Sequence, residues 1–382
     1  MRSSLKHGGL LALLVLLLAM RAPAQTNSGR YLDIEFPHDS PVLPVSFSLG
    51  PTTFRPRGAS MALDLHASLL LRNTGNKPIS GLTLRVEAQD LTPSGKGSVT
   101  VPSLDILPGE VFPVRIDMEL LRPFNVAKAE GAIVQVSLDC ALFTDLSHYG
   151  PDKLNSRRAL VVYELEARRD RRYLAKLLDG GRLAQLREEL NFGLQDLVPQ
   201  QLGLELLRDP RTAVRREQPV SVGAVSFPSS PVQALSGAAN IAGNEVRSPR
   251  IEVKNTSQKM VRSVEMGWIV RDERGRDFIA GSVPAALQLG PVQTGTMTEA
   301  ATLRFSQPTG QPMVIGGLMT FVNDVEFADG KLWIPSRTDI DEATNDPVLR
   351  RALATSPEQQ RLADIYRKKG IPGLSEELRK VN

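Results

Sequence analysis

The sequence has few of the residues from which catalytic and metal sites are usually built. Its 382 residues include one cysteine and four histidines, and aromatic residues make up 5% of the chain. There is no H-E-x-x-H, C-x-x-C or H-x-H pattern, so a transition-metal site would have few ligands to draw on. The G-x-S-x-G elbow, the P-loop and the G-x-G-x-x-G turn are missing as well. We therefore predict a protein that is not an enzyme, with no catalytic residues and no cofactor.

The single cysteine, Cys140, excludes an internal disulfide bond, so stability must come from packing. It lies at the end of the alternating segment 133–140, which is typical of a strand. A buried, small apolar side chain is the expectation. A reactive thiol and an intermolecular bridge are the alternatives.

A long apolar run occurs only near the N terminus, over 10–20. It follows Arg2 and Lys6 and precedes Ala22-Pro23-Ala24, the order of parts found in a secretory signal peptide. Eleven apolar residues are too few for a membrane span, which needs about 20. We predict cleavage near Ala24 and a secreted or periplasmic protein without a transmembrane span, with an uncleaved anchor as the alternative.

The net charge is small once this segment is removed. Cleavage discards Arg2, Lys6 and Arg21 and no acid, which leaves 43 basic against 42 acidic residues. Nucleic-acid binding needs a concentrated basic patch, and a balanced chain disfavours it. We predict no nucleic-acid partner.

The chain contains an internal duplication, which sets the architecture. Segment 71–79 (LRNTGNKPI) resembles segment 253–261 (VKNTSQKMV), and 145–154 aligns with 323–332. Segment 174–190 aligns without gaps with 362–378, and both place apolar residues on one helical face. Each copy therefore combines short alternating strands, typical of an antiparallel sandwich, with a helical hairpin.

Local breakers refine this plan. Gly180-Gly181 and Gly370 should each divide a hairpin into two helices, and Pro372 suits the first turn of a helix. Segment 191–217, with Leu202, Leu204, Leu206 and Leu207, is interpreted as a largely helical linker. The run 168–172 (RRDRR) is expected to lie on a solvated helix face.

One strand pair resembles a known class of module. Asn255-Thr256, Lys259, the strand 264–270 and the turn 272–275 (DERG) resemble bacterial extracytoplasmic Ig-like modules of the FxLYD and CARDB types. Asn73-Thr74 and Lys77 repeat the pattern in the first copy without the turn. The resemblance implies an Ig-like fold with binding or spacing roles and supplies no catalytic residue.

The predicted fold class is mainly β with α: two tandem antiparallel Ig-like β-sandwiches, each followed by a short helical hairpin. The predicted domains are a signal peptide at 1–24, the first sandwich at 25–165, a helical hairpin and linker at 166–217, the second sandwich at 218–340 and a C-terminal helical hairpin at 341–382.

Two sets of residues are candidate sites, and the second copy contributes most of both. Asp324, Glu326 and Asp329 could hold Ca²⁺, although Asp329-Gly330 is also a hairpin-turn signal. Trp333, Phe327 and Tyr149 could bind a ligand if their rings are exposed, and would otherwise belong to the core.

The leading functional hypothesis is a binding or scaffold protein that acts through contacts with an envelope or extracellular protein. The alternative is carbohydrate or surface-polymer binding through aromatic residues of the second sandwich. An enzyme of unrecognised type that uses Asp324 and Glu326 is the third hypothesis. The second copy is favoured for a specific contact because the acidic hairpin and Trp333 occur only there.

Overall fold

A computed structural model describes residues 32–88, 95–123, 133–194, 201–207, 217–307 and 309–380. The predicted signal peptide and its cleavage site lie outside these residues. The chain divides into two compact units, Met1–Arg157 and Arg158–Asn382. With 51% strand and 23% helix, the fold is mainly β with some helices, as predicted. No helix in the described ranges combines the length and apolarity needed to span a bilayer.

The first unit contains two sheets that share one core. Its strands are β1 (Leu32–Glu35), β2 (Val42–Leu49), β3 (Thr53–Arg57), β4 (Ser60–Asn73), β5 (Ile79–Glu87), β6 (Lys96–Val101), β7 (Val111–Pro123), β8 (Val134–Phe143) and β9 (His148–Tyr149). One sheet has the order β1-β8-β5-β6, with β9 on β8, and β1 runs parallel to β8. In the other, β4 pairs with β2 and β3 along one edge and with β7 along the other.

Alternation along the strands creates the core of the first unit. Leu69, Leu71 and Phe112 point inward and are buried, while their neighbours point outward. Cys140 is fully buried, and that burial raises the pKa of its thiol to about 12. The expectation of a small buried side chain is therefore confirmed.

The second unit repeats this strand order but forms one sheet. Its strands are β10 (Gln201–Leu207), β11 (Gln218–Val225), β12 (Val232–Ala242), β13 (Glu245–Asn255), β14 (Val261–Asp272), β15 (Asp277–Leu289), β16 (Thr294–Thr298), β17 (Thr302–Ser306), β18 (Ile315–Phe327) and β19 (Leu332–Trp333). The parallel pair β11–β18 corresponds to β1–β8, and β13 pairs with β12 and β16 as β4 does with β2 and β7.

The prediction of a helical linker was wrong for residues 201–207. This segment is strand β10, which pairs in parallel with β15 and antiparallel with β17. It thereby links β15 to β17 and adds a second connection to the one that β11 makes by pairing with both β12 and β18. The described strands of the second unit form a single ten-stranded sheet.

The described residues also contain five helices: α1 (Ser156–Asp179), α2 (Leu183–Leu194), α3 (Arg337–Ala343), α4 (Pro347–Ala354) and α5 (Pro357–Arg379). Helix α1 begins ten residues before the predicted hairpin, inside the range assigned to the first sandwich. Gly370 breaks α5 with a φ of 66°, which confirms the predicted division there. Helices α3 and α4 precede that kinked helix, so the C-terminal segment is more than a hairpin.

The two duplicated helical segments pack against each other in the second unit. Leu174, Leu177, Leu186 and Leu190 share one buried cluster with Leu362, Leu374 and Leu378 of the other copy. Their equivalent spacing therefore reflects one common interface, in which each copy buries the apolar face of the other.

The Asn-Thr-x-x-Lys motif has the same structural role in both units. Asn73 Nδ2 donates to the carbonyls of Lys77 and Ile106 at 2.9 and 3.0 Å. Asn255 Nδ2 donates to those of Lys259 and Gly290 at 2.8 and 2.9 Å. Both asparagines are fully buried. The motif therefore recurs because its amide satisfies buried carbonyl groups of the turn.

We expect Asn255→Ala to lower the free energy of unfolding by about 1–3 kcal/mol, because it removes a fully buried amide that donates to the carbonyls of Lys259, Leu289 and Gly290. Asn73→Ala should have a similar effect on the first unit. Differential scanning calorimetry would measure both. Gln258→Ala, at an exposed position of the same motif, is the matched control. An equal loss in the control would contradict the role assigned to Asn255.

Candidate functional site

The outward face of β2, β4 and β7 in the first unit, here called the outer face, carries an exposed apolar cluster. Its members are 37–47% exposed: Leu43, Val45, Leu70 and Val111. This set is called the apolar patch. Strand register places them together, because Leu43 and Val111 flank Arg72, and Leu70 lies opposite Ser46 and Pro113 in the next row. Val45 occupies a β-bulge between these rows.

Two arginines lie in or next to the apolar patch. Arg72 lies in the row of Leu43 and Val111, and Arg115 lies opposite Ser68, two rows further along β7. Both arginines are exposed. Their positions combine two cations with an apolar centre, which is a composition enriched in protein interfaces.

The other end of the outer face is ionic. His66 Nδ1 lies 2.7 Å from Asp117 Oδ1, and its Nε2 lies 3.3 Å from Asp64. The hydrogen bond with Asp117 raises the pKa of His66, and the charge of Asp64 adds to the effect. Arg57 Nη1 donates to Glu119 at 2.7 Å. These carboxylates therefore already have cationic partners.

The second unit has polar residues at most of the equivalent positions. The registers of β12, β13 and β16 match those of β2, β4 and β7, including the bulge, so equivalence is unambiguous. The equivalents of Leu43, Leu70 and Val111 are Gln233, Glu252 and Thr294, and that of Val45 is Leu235. The apolar patch is therefore a specific feature of the first unit.

The sequence interpretation missed this surface and favoured the second copy. The signal was present in the duplication. Leu70 stands one residue before the quoted motif, and its counterpart is Glu252. In Leu69-Leu70-Leu71 the middle leucine interrupts the alternation of apolar and polar residues, because it occupies the exposed position between two buried ones. Both observations mark an apolar side chain that the core does not require.

The predicted aromatic site residues are partly buried, and each of them contacts different neighbouring residues. Trp333 Nε1 donates to Ser229 Oγ at 3.3 Å, and its ring packs against Phe227. The ammonium of Lys259 lies 5.2 Å from the ring centroid of Phe327. In the first unit, Tyr149 donates its hydroxyl proton to Asp39 at 2.6 Å. Phe327 and Trp333 border the core of the second unit, and Tyr149 borders the core of the first.

The predicted calcium ligands do not converge. Lys259 Nζ lies 3.0 Å from Asp329 Oδ2, and Ser263 donates to Glu326 at 3.2 Å. Asp324 is buried and binds Arg158. Among the described residues, no group of three His, Cys, Asp or Glu side chains could hold a metal ion. The turn at Asp329-Gly330 closes the β18–β19 hairpin, as the turn signal predicts.

Asp324 instead belongs to a carboxylate cluster between the sheet and α1. Arg158 Nε donates to Asp324 at 3.0 Å, and its Nη1 donates to Ser263 at 2.7 Å. Glu265 lies directly opposite Asp324 on β14, 4.0 Å from the same guanidinium. Burial raises the pKa of Asp324, and the neighbouring Glu265 raises it further. One arginine thus balances two carboxylates and anchors the helix.

Glu166 extends this cluster along α1. Its burial raises the pKa of its carboxyl to about 7. Arg169 opposes that effect, whereas Asp170, Asp324 and Glu265 add to it. Burial and the neighbouring carboxylates therefore raise the pKa of Glu166 towards neutral pH, while the buried Asp324 attaches the helix to the sheet through Arg158.

The expectation that residues 168–172 lie on a solvated face was wrong for Arg169, Asp170 and Arg171, whose side chains are largely or fully buried. The side chains of Arg169 and Arg171 are 9% and 10% exposed. Arg169 donates to Asp170 at 2.9 Å and Arg171 to Glu358 at 2.7 Å. Asp170 also accepts from Arg337 at 3.0 Å. This run therefore forms a buried polar network that connects the helices.

A polar cleft of about 330 Å³ opens beside this network. Its arginines face acids within the cleft: Arg351 binds Glu188, and Arg350 lies 3.7 Å from Asp341. Arg337 is held by Asp170 and stacks on Tyr173 at 4.8 Å. Because each cation already faces a carboxylate or a ring, the cleft shows no preference for an anionic ligand.

The chain matches no protein-family model and no curated protein. Among solved structures it is similar to a beta-glucosidase from Kluyveromyces marxianus at 9% identity and a TM-score of 0.18, with 72% of this chain and 44% of that chain covered. The same enzyme with glucose gives 10% identity and a TM-score of 0.16 over the same shares. A protein called pT26-6p gives 9% identity and a TM-score of 0.15 over 87% and 73% of the two chains. The chain thus spans less than half of the beta-glucosidase, and similarity at this level carries no argument about fold or activity.

Proposed function

We propose that the protein is a secreted or periplasmic binding or scaffold protein that acts through protein–protein contacts and not as an enzyme. In this proposal the signal peptide is removed near Ala24. The two units are tandem Ig-like β-sandwiches, and the first carries the contact surface. The apolar patch is the observation that supports the proposal most strongly.

The apolar patch costs free energy in an isolated protein, because water solvates exposed apolar side chains poorly. Scattered exposed apolar residues are common, but this set is contiguous across three strands. The equivalent face of the second unit has the same backbone register and mostly polar side chains. The apolar residues are therefore not a requirement of the fold, and a partner that covers them gives them a role.

Duplication supports the same proposal. The matching strand order and the shared asparagine motif favour two related modules. Related modules in one chain act as spacers or offer two contacts at raised effective concentration. A divergent surface on one copy suits a scaffold in which the first module binds and the second supports.

The test is capture of partner proteins from an envelope extract on the immobilised protein, with chemical cross-linking. We expect Leu70→Asp combined with Val111→Asp to reduce specific capture at least tenfold, because charges would replace the apolar centre. Leu235→Asp, at the position of the second unit equivalent to Val45, is the matched control and should leave capture unchanged. Circular dichroism checks that all variants are folded. Capture that is equal for the wild type and the double variant would overturn the proposal.

A further inference from the structure

Arg72 and Arg115 are the only arginines bordering the apolar patch in the described part of the outer face that lack a carboxylate partner. The acids of this face are already engaged, Asp117 by His66 and Glu119 by Arg57. Two exposed guanidinium groups therefore remain available to a partner. A surface of this kind favours a partner that brings negative charge.

The spacing of the two arginines restricts how the negative charges of a partner can be arranged. Arg72 lies opposite Val111, and Arg115 follows Val111 by four residues on β7. At about 3.4 Å per residue, the two arginine rows are about 14 Å apart. Leu70 and Pro113 form the row halfway between them. In an extended chain, residues i, i+2 and i+4 face the same side and span the same distance.

We propose that the apolar patch binds an extended acidic segment of a partner protein. Carboxylates at positions i and i+4 of that segment meet Arg72 and Arg115, and an apolar side chain at i+2 packs on Leu70. This inference rests on the proposed function and adds to it the chemistry of the partner. Arginine suits the role because its planar guanidinium binds a carboxylate through two parallel hydrogen bonds.

The second unit lacks this combination. Its equivalents of Arg72 and Arg115 are Lys254 and Thr298, and Arg250, which lies opposite Thr298, is the second cation of this face. At the central position Glu252 replaces Leu70 and would repel an acidic segment. The same backbone therefore presents a selective surface in the first unit and an unfavourable one in the second.

The experiment uses fluorescence anisotropy of a labelled peptide with the core Asp-Thr-Leu-Thr-Asp, titrated with the full chain. We expect binding to the wild type that weakens with added salt. Arg72→Glu combined with Arg115→Glu should reduce the affinity at least tenfold, and a Lys-Thr-Leu-Thr-Lys peptide should then bind the variant better than the wild type. Lys254→Glu in the second unit is the matched control and should change nothing.

Two results would overturn the inference. One is an acidic peptide that fails to bind, or that binds the wild type and the double arginine variant equally. The other is arginine-dependent binding of phosphatidylglycerol vesicles without binding of the peptide, which would assign the surface to anionic lipid. Leu70→Asp with Val111→Asp could abolish partner capture while the arginine variant retains it. That result would support the proposed protein–protein contact and reject the acidic segment as its partner.

Discussion

Replacing Asp170 by alanine is expected to lower the free energy of unfolding of the second unit by about 3–5 kcal/mol. Asp170 is fully buried and accepts hydrogen bonds from Arg169, Arg337 and Ser356. Removing its carboxylate leaves two largely buried guanidinium groups without their counter-charge, and that is among the most destabilising changes in a protein interior. Chemical denaturation followed by far-ultraviolet circular dichroism would measure the loss.

The matched control is Asp364→Ala on α5. Asp364 pairs with Arg367 at 2.8 Å, but both side chains are about half exposed or more. Surface pairs contribute about 0–1 kcal/mol, so this substitution should be nearly neutral. Asp170→Asn should fall between the two, because it keeps an acceptor and loses the charge. A loss for Asp170→Ala no larger than that of the control would show that the network does not hold the helices together.

The second large effect is a dependence of stability on pH that Glu166 causes. Its folded pKa of about 7 lies above the ordinary value of 4.5. The folded state therefore holds this proton up to a higher pH than the unfolded state does. By linkage, stability from this group is greatest below about pH 4.5, falls as pH rises towards 7 and is constant above that. A shift of this size corresponds to about 3 kcal/mol.

The charged groups that face Glu166 shift its pKa in opposite directions. Asp170 on the same helix and Glu265 and Asp324 on the sheet oppose its ionisation, while Arg169 favours it. Burial also raises the pKa of Asp324. The stability that Asp324 contributes therefore also falls as the pH rises, as it does for Glu166. Asp339 and Glu377 have lowered pKa values and act in the opposite sense, since their contributions are lost as pH falls.

Glu166→Gln isolates the contribution of this carboxyl. We expect the variant to gain stability relative to the wild type as pH rises from about 4.5 to 7, by about 3 kcal/mol in total. Urea denaturation across pH 4 to 8 would measure the difference. Glu342→Gln, at an exposed position on α3, should run parallel to the wild type. A Glu166→Gln profile that is also parallel would contradict the buried-proton explanation.

Several elements could be predicted from local rules. Asp329-Gly330 specifies a tight turn because glycine tolerates a φ of 76° there. Gly370 followed by Pro372 breaks a helix for reasons of backbone geometry alone. The helical spacing of Leu174, Leu177 and their counterparts predicted which faces are buried.

Strand β10 shows where such rules stop. Leu202, Leu204 and Leu206 alternate as in a strand, yet a short apolar segment that follows a helical pattern is ambiguous. Its conformation is decided by hydrogen bonds to β15 and β17, whose partners lie about 80 to 100 residues further along the chain. The partners of Arg169 and Arg171 are similarly distant, since Arg171 meets Glu358.

By itself the sequence determined the duplication, the mainly β composition, the hairpin turn and the paired helical faces, because these depend on neighbours within a few residues. Only the tertiary structure decided that β10 joins the sheet, that the arginine run is buried and that Asp324 anchors a helix. It also decided that Leu43, Val45, Leu70 and Val111 meet on one exposed surface. These outcomes depend on which distant strands and helices pack together, and alternation alone cannot distinguish an apolar residue that the core covers from one left for a partner.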